Sequence, residues 1–566
     1  MVNRLWVLIG IVFLIAACSQ EPEVEPTVSP PVTPTLETAE SAAPATTEPT
    51  PRPTITTPAS PTPQPVPTPA PLRITADTAV PQAIQQAVQE LANANPSRFQ
   101  WVESDGDVTI KVNAGEPIGS WVYAAAAPFP TFTDEIGSAD LETAWQEGTL
   151  HVDGETAAVL AALWGEPGVS AEIISPENLV SVLWQAQTAY ETAEIALLPF
   201  DRLVPELKVL AVDGFSPVAT DFDPAAYSLT VPIGLVGEPA AVEQLQAALT
   251  EPLTNRDDNK ITQVAMTGPA GMRRAVADRM EKYGLTYPAE ETGPVLQGVD
   301  IAHMSNENAF ANDCPMPDPF DSSNVCNRDE YVELMTWMGI DINEMTGNHL
   351  NDWGTDSLLH TFDLYDEVGI QTFGGGRNLA AAQEPLLIEH NGNKLAFVGC
   401  NPVGPPIDWA GENYPGSLPC GDYDFILNQI SDLDAAGYLV FATLQYLEYY
   451  QYEVFEGQRT DFHNLAAAGA TAVSGSQGHH PQGFSFFDGS FIHYGLGNLL
   501  ADQMFSLGTR QTFIDIYTIY DGRLINVTLW TGLIEDYARQ RLMTAEERET
   551  VLQSVFEVSD WSCCGS

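Results

Sequence analysis

The chain has 566 residues, with 76 Asp and Glu against 22 Lys and Arg, and a formal net charge of −54. This balance excludes nucleic acid as a favoured partner, because nucleic-acid phosphates are neutralised by clustered Lys and Arg. With 44% hydrophobic and 17% charged residues, the chain can build large cores and is not disordered as a whole. No run of about 20 apolar residues follows the N-terminus, which excludes a polytopic membrane protein.

The first 18 residues have the layout of a secretory signal, since Arg4 precedes an apolar stretch that ends in small residues. The segment Leu14-Ile15-Ala16-Ala17-Cys18 resembles the lipobox of bacterial lipoproteins. The resemblance implies that Cys18 is lipidated and becomes the first residue of a mature chain held to the cell membrane on its extracytoplasmic side. An ordinary signal with a chance cysteine is the alternative.

Residues 19–72 form a Pro/Thr-rich linker. Between Pro22 and Pro71 lie 16 of the 43 prolines of the chain. Proline removes backbone donors and favours extended polyproline II, so this segment cannot build a core. We expect a disordered, semi-rigid stalk that holds the folded part away from the membrane.

Residues 73–255 alternate between helical and strand patterns. Apolar residues from Val80 to Leu91 repeat at helical spacing, and residues 108–112 are typical of a strand. This alternation predicts a small α/β domain, joined to the rest by the polar residues 252–260. Residues 195–214 weakly resemble a lobe of a periplasmic solute-binding protein. A packing or spacer domain without a ligand is the alternative.

Residues 259–550 contain a series of apolar runs that each end in a polar turn. Because chemistry in layered α/β folds collects at the carboxyl ends of strands, these turns predict one site assembled from several loops. The runs are 261–266, 299–304, 340–346, 395–398, 438–444 and 470–473, and they lead to turns that contain Gly268, Glu307, Asn348, Asn401, Gln445 and His480. A hairpin at Asp521-Gly522 closes the sheet, and residues 551–566 are expected to form a C-terminal tail.

Four motifs in this region resemble, in order and in spacing, those of the capsule-synthesis CapA family. They are Gly347-Asn348-His349-Leu350-Asn351-Asp352-Trp353-Gly354, Phe373-Gly374-Gly375-Gly376-Arg377-Asn378, Gly478-His479-His480-Pro481 and Tyr494-Gly495-Leu496-Gly497-Asn498. The resemblance spans residues 260–503 and implies an α/β, calcineurin-like metallophosphoesterase fold, a layered β-sandwich flanked by helices. It also implies a part in making, exporting or anchoring an extracellular polymer such as poly-γ-glutamate, with the capsule machinery as partner.

The resemblance assigns roles to individual residues. Glu307, Asn348 and His480 are the expected ligands of a divalent metal (Mn, Fe or Zn), and His349 is the expected catalytic residue, placed to stabilise a phosphoryl oxygen. The turn that contains Gly375, Gly376 and Arg377 is an expected anion site, with an ordinary tight turn as the alternative. For each histidine, a structural role is the alternative. The assignment requires Glu307, Asn348, His349 and His480 to converge in one pocket.

Three family ligands are replaced in this chain. The family's Gly-Asp is Gly268-Pro269, its His-Trp-Gly begins with Gln445, and its second His in His-Pro-His is Gln482. Proline offers no side-chain donor, and a glutamine oxygen is a weaker transition-metal ligand than imidazole. We therefore expect an incomplete metal site. Asp300, Asp352, Glu448 or His479 are candidates to complete it, but nothing in the spacing requires this. An active phosphoesterase and a non-catalytic binding or scaffold lipoprotein are the alternatives to the capsule role.

The cysteines that follow the signal lie outside the reducing cytosol if the chain is exported. Cys314 with Cys326 and Cys400 with Cys420 are candidate disulfides. Cys563 and Cys564 are adjacent, a vicinal pair with no clear assignment from the sequence. The absence of a CxxC spacing argues against a zinc cluster.

Overall fold

The computed structural model describes residues 70–562 and Cys564. The signal segment with Cys18, all but the last residues of the linker, and Cys563 lie outside the described residues, so lipidation and the disordered stalk stay predictions. Within the described part of the chain, no helix is both long enough and apolar enough to cross a lipid bilayer.

The part of the chain from β1 to β9, here called the first half, is built on one mixed sheet. The strand order is β2-β1-β3-β8-β4-β7-β5, and β6 and β9 also pair with β4. Its strands are β1 Leu72–Ala76, β2 Phe99–Trp101, β3 Val108–Val112, β4 Glu116–Pro128, β5 Glu135–Ile136, β6 Ala196–Pro199, β7 Leu207–Val212, β8 Thr230–Gly237 and β9 Leu253–Thr254. Its helices are α1 Gln82–Ala94, α2 Ser138–Glu147, α3 Gly154–Trp164, α4 Leu179–Ala186 and α5 Pro239–Gln246. The helix expected from the pattern between Val80 and Leu91 and the strand expected at 108–112 are both present, as α1 and β3.

The second half contains two larger sheets and a short pair. The eight-stranded sheet consists of β10 Ile261–Thr267, β11 Pro269–Ala270, β12 Ile301–Asn306, β13 Ile340–Glu344, β14 Gln371–Phe373, β23 Gln511–Tyr520, β24 Arg523–Glu535 and β25 Arg539–Leu542. The six-stranded sheet consists of β16 Leu386–His390, β17 Asn393–Cys400, β19 Leu439–Leu444, β20 Ala472–Gly475, β21 Phe484–Phe487 and β22 Ser490–His493. Strands β15 Gly375–Gly376 and β18 Gly416–Ser417 pair with each other.

Helices cover the outer faces of these two sheets. They are α6 Arg274–Tyr283, α7 Gly293–Gln297, α8 Val332–Trp337, α9 Thr355–Val368, α10 Leu379–Ala382, α11 Asp424–Ala435 and α12 Glu456–Ala467, whereas α13 Ala545–Glu557 packs into the core that the two sheets share. Helix α13 crosses residue 550, where the tail was expected to begin. Its residues Val551, Leu552, Val555 and Phe556 are buried, so this segment is part of the core.

The two sheets pack face to face and enclose a core of large apolar side chains. Phe397 and Phe441 of the six-stranded sheet share this core with Val264, Phe513 and Tyr517 of the other sheet. Separate cores lie under the helices on the outer side of each sheet. The architecture is the α/β layered sandwich flanked by helices that the sequence predicts.

The two halves share buried contacts. Phe129, at the end of the first-half strand β4, is 1% exposed and packs against aromatic rings of the second half. The Val209 backbone N–H donates to Asn526 Oδ1 at 3.0 Å, and Arg548 forms a bidentate pair with Asp134 at 2.9 Å. Residues 252–260, expected to be a polar joint, include the buried side chain of Asn255. The boundary between two domains near residue 255 stays a prediction.

Both cysteine pairs suggested by the sequence are joined. Cys314 forms a disulfide with Cys326, and Cys400 forms one with Cys420. The second disulfide links the carboxyl end of β17 to the loop before α11, close to the edge where the polar turns gather. Cys564 is buried.

Candidate functional site

The carboxyl ends of neighbouring strands carry polar residues to one edge of the sandwich. Strand β12 runs parallel to both β10 and β13, and β19 runs parallel to β20, so their C-terminal turns face the same way. Gly347 permits close approach of two of these turns, since a Cβ there would lie 3.1 Å from Cα of Glu307. The residues delivered to this edge are Glu307 after β12, Asn348 and His349 after β13, Gln445 after β19, and Gln477 after β20.

The amide of Gln445 lies at the centre of this group. Its Nε2 donates to Glu307 Oε1 at 2.9 Å and to Asn348 Oδ1 at 3.2 Å, and it also contacts Gln477 Oε1. Its Oε1 accepts from Ser476 Oγ at 2.7 Å, which fixes the orientation of the amide. Gln445 is fully buried, so the network is a fixed part of the fold.

A second buried polar group lies behind Gln445. Ser476 Oγ is 3.1 Å from Glu344 Oε1, and His303 Nε2 is 3.3 Å from Glu344 Oε2. The Thr267 backbone N–H donates to His303 Nδ1, which leaves the ring proton on Nε2 facing the carboxylate. Sequence reasoning missed Glu344 and His303, although each is a polar residue within an apolar strand.

His349 lies on the solvent side of Gln445 and is oriented by a carboxylate. Its Nδ1 donates to Asp352 Oδ2 at 2.6 Å. Burial disfavours the charged ring, but the hydrogen bond to Asp352 and the charge of Glu307 raise the pKa of His349 overall. Glu307 and Asn348 therefore meet at Gln445, His349 lies near the charge of Glu307, and Asp352 orients His349, while the roles expected for these residues stay predictions.

Asp408 lies beside the His349–Asp352 pair and is fully buried. Its Oδ1 accepts from the Asn351 backbone N–H at 2.7 Å, whereas its Oδ2 has no hydrogen-bond partner among the described residues. Burial is the main cause that raises the pKa of Asp408 to about 6, and the charge of Asp352 adds to it. Nothing in the local sequence pattern indicated this carboxylate.

His479 faces the site, and a hydrogen bond fixes its tautomer. Its Nδ1 is 2.7 Å from Asn498 Oδ1. The Asn498 amide nitrogen donates to the Thr509 carbonyl at 2.9 Å, so its oxygen is the acceptor and His479 Nδ1 carries the proton. The Nε2 atom is 3.9 Å from Glu448 Oε1.

His480, the expected metal ligand, does not join the group. Its Nδ1 is 2.9 Å from the Pro481 carbonyl oxygen, and its ring packs edge-on against Tyr452 with centroids 4.3 Å apart. The other side of the ring fills the space beside Gly508. Because His479 has a left-handed backbone, with φ of 47°, the turn directs His479 and His480 to different surroundings. The expectation for His480 is wrong.

The expected anion site at Gly375, Gly376 and Arg377 is also wrong. The two glycines form strand β15 and pair with β18, and a Cβ on Gly375 would lie 2.4 Å from the Met345 carbonyl oxygen. Arg377 points to helix α9, where it pairs with Asp363 at 2.7 Å and Asp366 at 3.0 Å. The triple glycine serves close packing, a role that neither the expected anion site nor the tight turn describes.

A small cavity of about 30 Å³ opens beside Glu307 and is also lined by Arg273, Asn308 and His479. Arg273 is half-buried, and no described residue forms a salt bridge or hydrogen bond with its guanidinium group. Sequence reasoning missed Arg273, whose only signal was its place in the polar turn after β10.

The donor arrangement does not fit a two-metal centre. Glu307 Oε1 and Asn348 Oδ1 already accept from the Gln445 amide nitrogen, which would compete with a cation for the same two oxygens. Pro269 has no donor atom, and His480 faces elsewhere. Among the described residues, no group of three or more His, Cys, Asp or Glu side chains is placed to hold a metal ion.

Residues 263–503 match the family model described as bacterial capsule synthesis protein PGA_cap. The capsule biosynthesis protein CapA of Bacillus anthracis is 24% identical over 287 residues, which are 50% of this chain and 69% of that protein. A probable polyglutamine synthesis accessory protein of Mycobacterium tuberculosis is 24% identical over 41% of this chain and 65% of its own length. The PGA biosynthesis protein CapA of Bacillus subtilis is 22% identical over 44% of this chain and 65% of its own length.

Similar solved structures are more distant. The NAD nucleotidase of Haemophilus influenzae is 8% identical over 54% of this chain and 57% of that chain, with a TM-score of 0.29. An ABC-type phosphate transport receptor of Vibrio cholerae is 8% identical over 32% of this chain and 93% of that chain, with a TM-score of 0.27. At scores this low, neither likeness establishes a shared fold, and the resemblance of residues 73–255 to a solute-binding lobe stays a prediction.

Proposed function

Because the chain belongs, through residues 263–503, to the bacterial capsule-synthesis CapA family, we propose that it acts in the synthesis, export or anchoring of an extracellular polymer such as poly-γ-glutamate. Its place is the outer face of the cell membrane, where lipidated Cys18 anchors it, and its partners are the polymer and the capsule machinery. Its site binds the polymer without a metal centre and is a degenerate form of the metallophosphoesterase site.

One observation carries the metal-free part of this proposal. The neutral amide nitrogen of Gln445 shares its two N–H groups among the oxygens of Glu307, Asn348 and Gln477, which a shared cation would otherwise have to hold together. A buried carboxylate requires either a counter-charge or hydrogen-bond donors, and here the amide N–H group supplies the donors.

The acidic surface, with a net charge of −54, repels a polycarboxylate at long range, so binding requires a local cationic contact.

Polymer display tests the proposed role. A poly-γ-glutamate-producing strain that lacks its own CapA protein should regain cell-bound polymer when it expresses this chain. We expect His349→Ala to lower cell-bound polymer by about tenfold, because it removes a half-buried polar contact of the site. His360→Ala is the matched control, since His360 forms a similarly exposed pair with Asp329 at 2.9 Å outside the site. Failure of the unaltered chain to restore polymer contradicts the capsule role.

Gln445→His tests the metal-free site. The exchange removes the central N–H donors and supplies an imidazole, so we expect Mn²⁺ to bind the variant at least about tenfold more tightly than the unaltered protein. Gln429→His, on helix α11, should bind Mn²⁺ like the unaltered protein. Metal content and hydrolysis of an aryl phosphate ester are measured on protein purified without chelators. A full equivalent of Mn, Fe or Zn together with hydrolysis by the unaltered protein would establish the active phosphoesterase instead.

A further inference from the structure

The space above Gly271 is bordered by two polar atoms that lack partners among the described residues. An ideal Cβ on Gly271 would lie 2.8 Å from Asn308 Oδ1 and 3.7 Å from Arg273 Nε, so both atoms face the same space. Asn308 is 1% exposed, and its Oδ1 has no described hydrogen-bond partner. A buried acceptor of this kind costs free energy unless a ligand or water satisfies it.

Arg273 differs from the cations that surround it. Arg274 makes a bidentate pair with Asp502 at 2.6 and 3.0 Å, and Lys282 pairs with Asp278 at 2.7 Å. Arg273 has no such pair in the described part of the chain, and the acids that act on its charge, among them Glu307, are already hydrogen-bonded elsewhere. Its guanidinium N–H groups are therefore available to an anionic ligand.

The cavity continues into a larger groove. Arg274, Asp502 and Gln503 line both spaces, and the groove has a volume of about 750 Å³. Arg279 and Lys282 lie along the groove and are offset by paired aspartates, so this strip is close to neutral in a chain with an excess of 54 acidic charges. A polyanion meets less repulsion here than a surface of the average charge would offer.

We propose that the cavity bounded by Gly271, Arg273, Glu307, Asn308 and His479 binds one carboxylate and the adjoining amide N–H group of an N-acyl amino acid, the repeating unit of a γ-linked glutamate chain. Arg273 takes the carboxylate, and Asn308 Oδ1 accepts from the amide N–H group one carbon away. The next units of the chain lie in the groove along Arg274, Arg279 and Lys282. This inference rests on the proposed function, whose polymer it places at a defined subsite.

The size and charge of the cavity favour a monocarboxylate. A volume of about 30 Å³ admits two water-sized groups, which matches the two oxygens of a carboxylate. One unpaired guanidinium balances a single negative charge, and the neighbouring Glu307 carboxylate opposes a second one. Inorganic phosphate, which carries more charge at neutral pH, is therefore a poor ligand for this site.

Calorimetric titration of the full-length protein tests the subsite. The probe is N-acetylglutamate γ-methylamide, which contains one repeating unit, and the comparison compounds are its α-carboxamide and inorganic phosphate. We expect only the free carboxylate to bind, and we expect Arg273→Gln and Gly271→Ala each to weaken it by about tenfold or more. Arg98→Gln is the matched control, since Arg98 also lacks a described ion pair and only lies over the Phe99 ring.

The outcomes separate this inference from the proposed function. Equal binding of the probe by Arg273→Gln and by the unaltered protein overturns the subsite, as does stronger binding of phosphate or of the α-carboxamide. No binding of the probe, together with restored polymer display, overturns the subsite but leaves the capsule role standing. Binding without restored display supports the subsite and refutes the role. Gly271→Ala provides an independent test if Arg273→Gln does not fold, because the added Cβ enters the space between Asn308 Oδ1 and Arg273 Nε and meets only side-chain atoms.

Discussion

Phe129→Ala should lower the free energy of unfolding by about 3–5 kcal/mol, the usual cost of removing a buried aromatic side chain. The Phe129 ring lies 5.2–5.6 Å, between centroids, from the rings of Phe484, Phe486 and Phe491, all in edge-on geometry. Because Phe129 belongs to the first half and its neighbours to the second, the loss should appear in the unfolding of both halves. Urea denaturation followed by circular dichroism measures it.

Phe320→Ala is the control, since Phe320 is 94% exposed and its removal should change stability by less than about 0.5 kcal/mol. A loss below about 1 kcal/mol for Phe129→Ala would show that the aromatic cluster is not a tightly packed core. Two well-separated transitions in the unaltered protein, only one of which moves in the variant, would show that the halves unfold independently.

Asp408→Asn should stabilise the protein above pH 6. The pKa of Asp408 is raised by burial to about 6 in the folded state, against an ordinary value of 3.8. A difference of about two between the folded and unfolded pKa values corresponds to about 3 kcal/mol. Asparagine retains the acceptor for the Asn351 N–H group without a charge, so we expect a gain of about 2 kcal/mol at pH 8.

The sign follows from proton uptake. Between pH 3.8 and about 6 the folded protein retains the Asp408 proton while the unfolded chain has released it, so rising pH favours unfolding. The gain in the free energy of unfolding of Asp408→Asn over the unaltered protein should therefore increase from pH 5 to about pH 7 and then stay constant. Glu412→Gln, at an exposed position of the same loop, is the control variant. A stability difference that is constant from pH 5 to 8 would contradict the raised pKa. Unfolding midpoints measured at each pH provide the comparison.

The strands were predictable because their apolar runs are short and continuous. Strand β10 was expected at 261–266 and spans Ile261–Thr267, and β19 was expected at 438–444 and spans Leu439–Leu444. Buried parallel strands carry this pattern on both faces, and the polar residue after each run marks the carboxyl edge. The convergence of Glu307, Asn348 and His349 followed from the same reasoning.

The direction of individual side chains was not predictable from spacing. His479 and His480 are adjacent, and only the positive φ of His479 decides which of them faces the site. The central position of Gln445 depends on hydrogen bonds to residues up to 138 positions away. Arg273 and Asn308 are separated by 35 positions and meet only because β10 and β12 are neighbours in the sheet. Long-range pairing of this kind leaves no periodic signal in a single sequence.

The C-terminal helix α13 has a consequence for biogenesis. The Phe556 ring of this helix lies 6.2 Å, between centroids, from the Phe129 ring, so residues made late complete a cluster begun by residues made early. The first half emerges from the ribosome long before its aromatic partners in the second half are synthesised. Until then the apolar edge of the first half has to be protected from aggregation. A nonsense codon between Arg510 and Ala545 should therefore yield a product that is degraded or insoluble, even though every residue of the candidate site has already been translated.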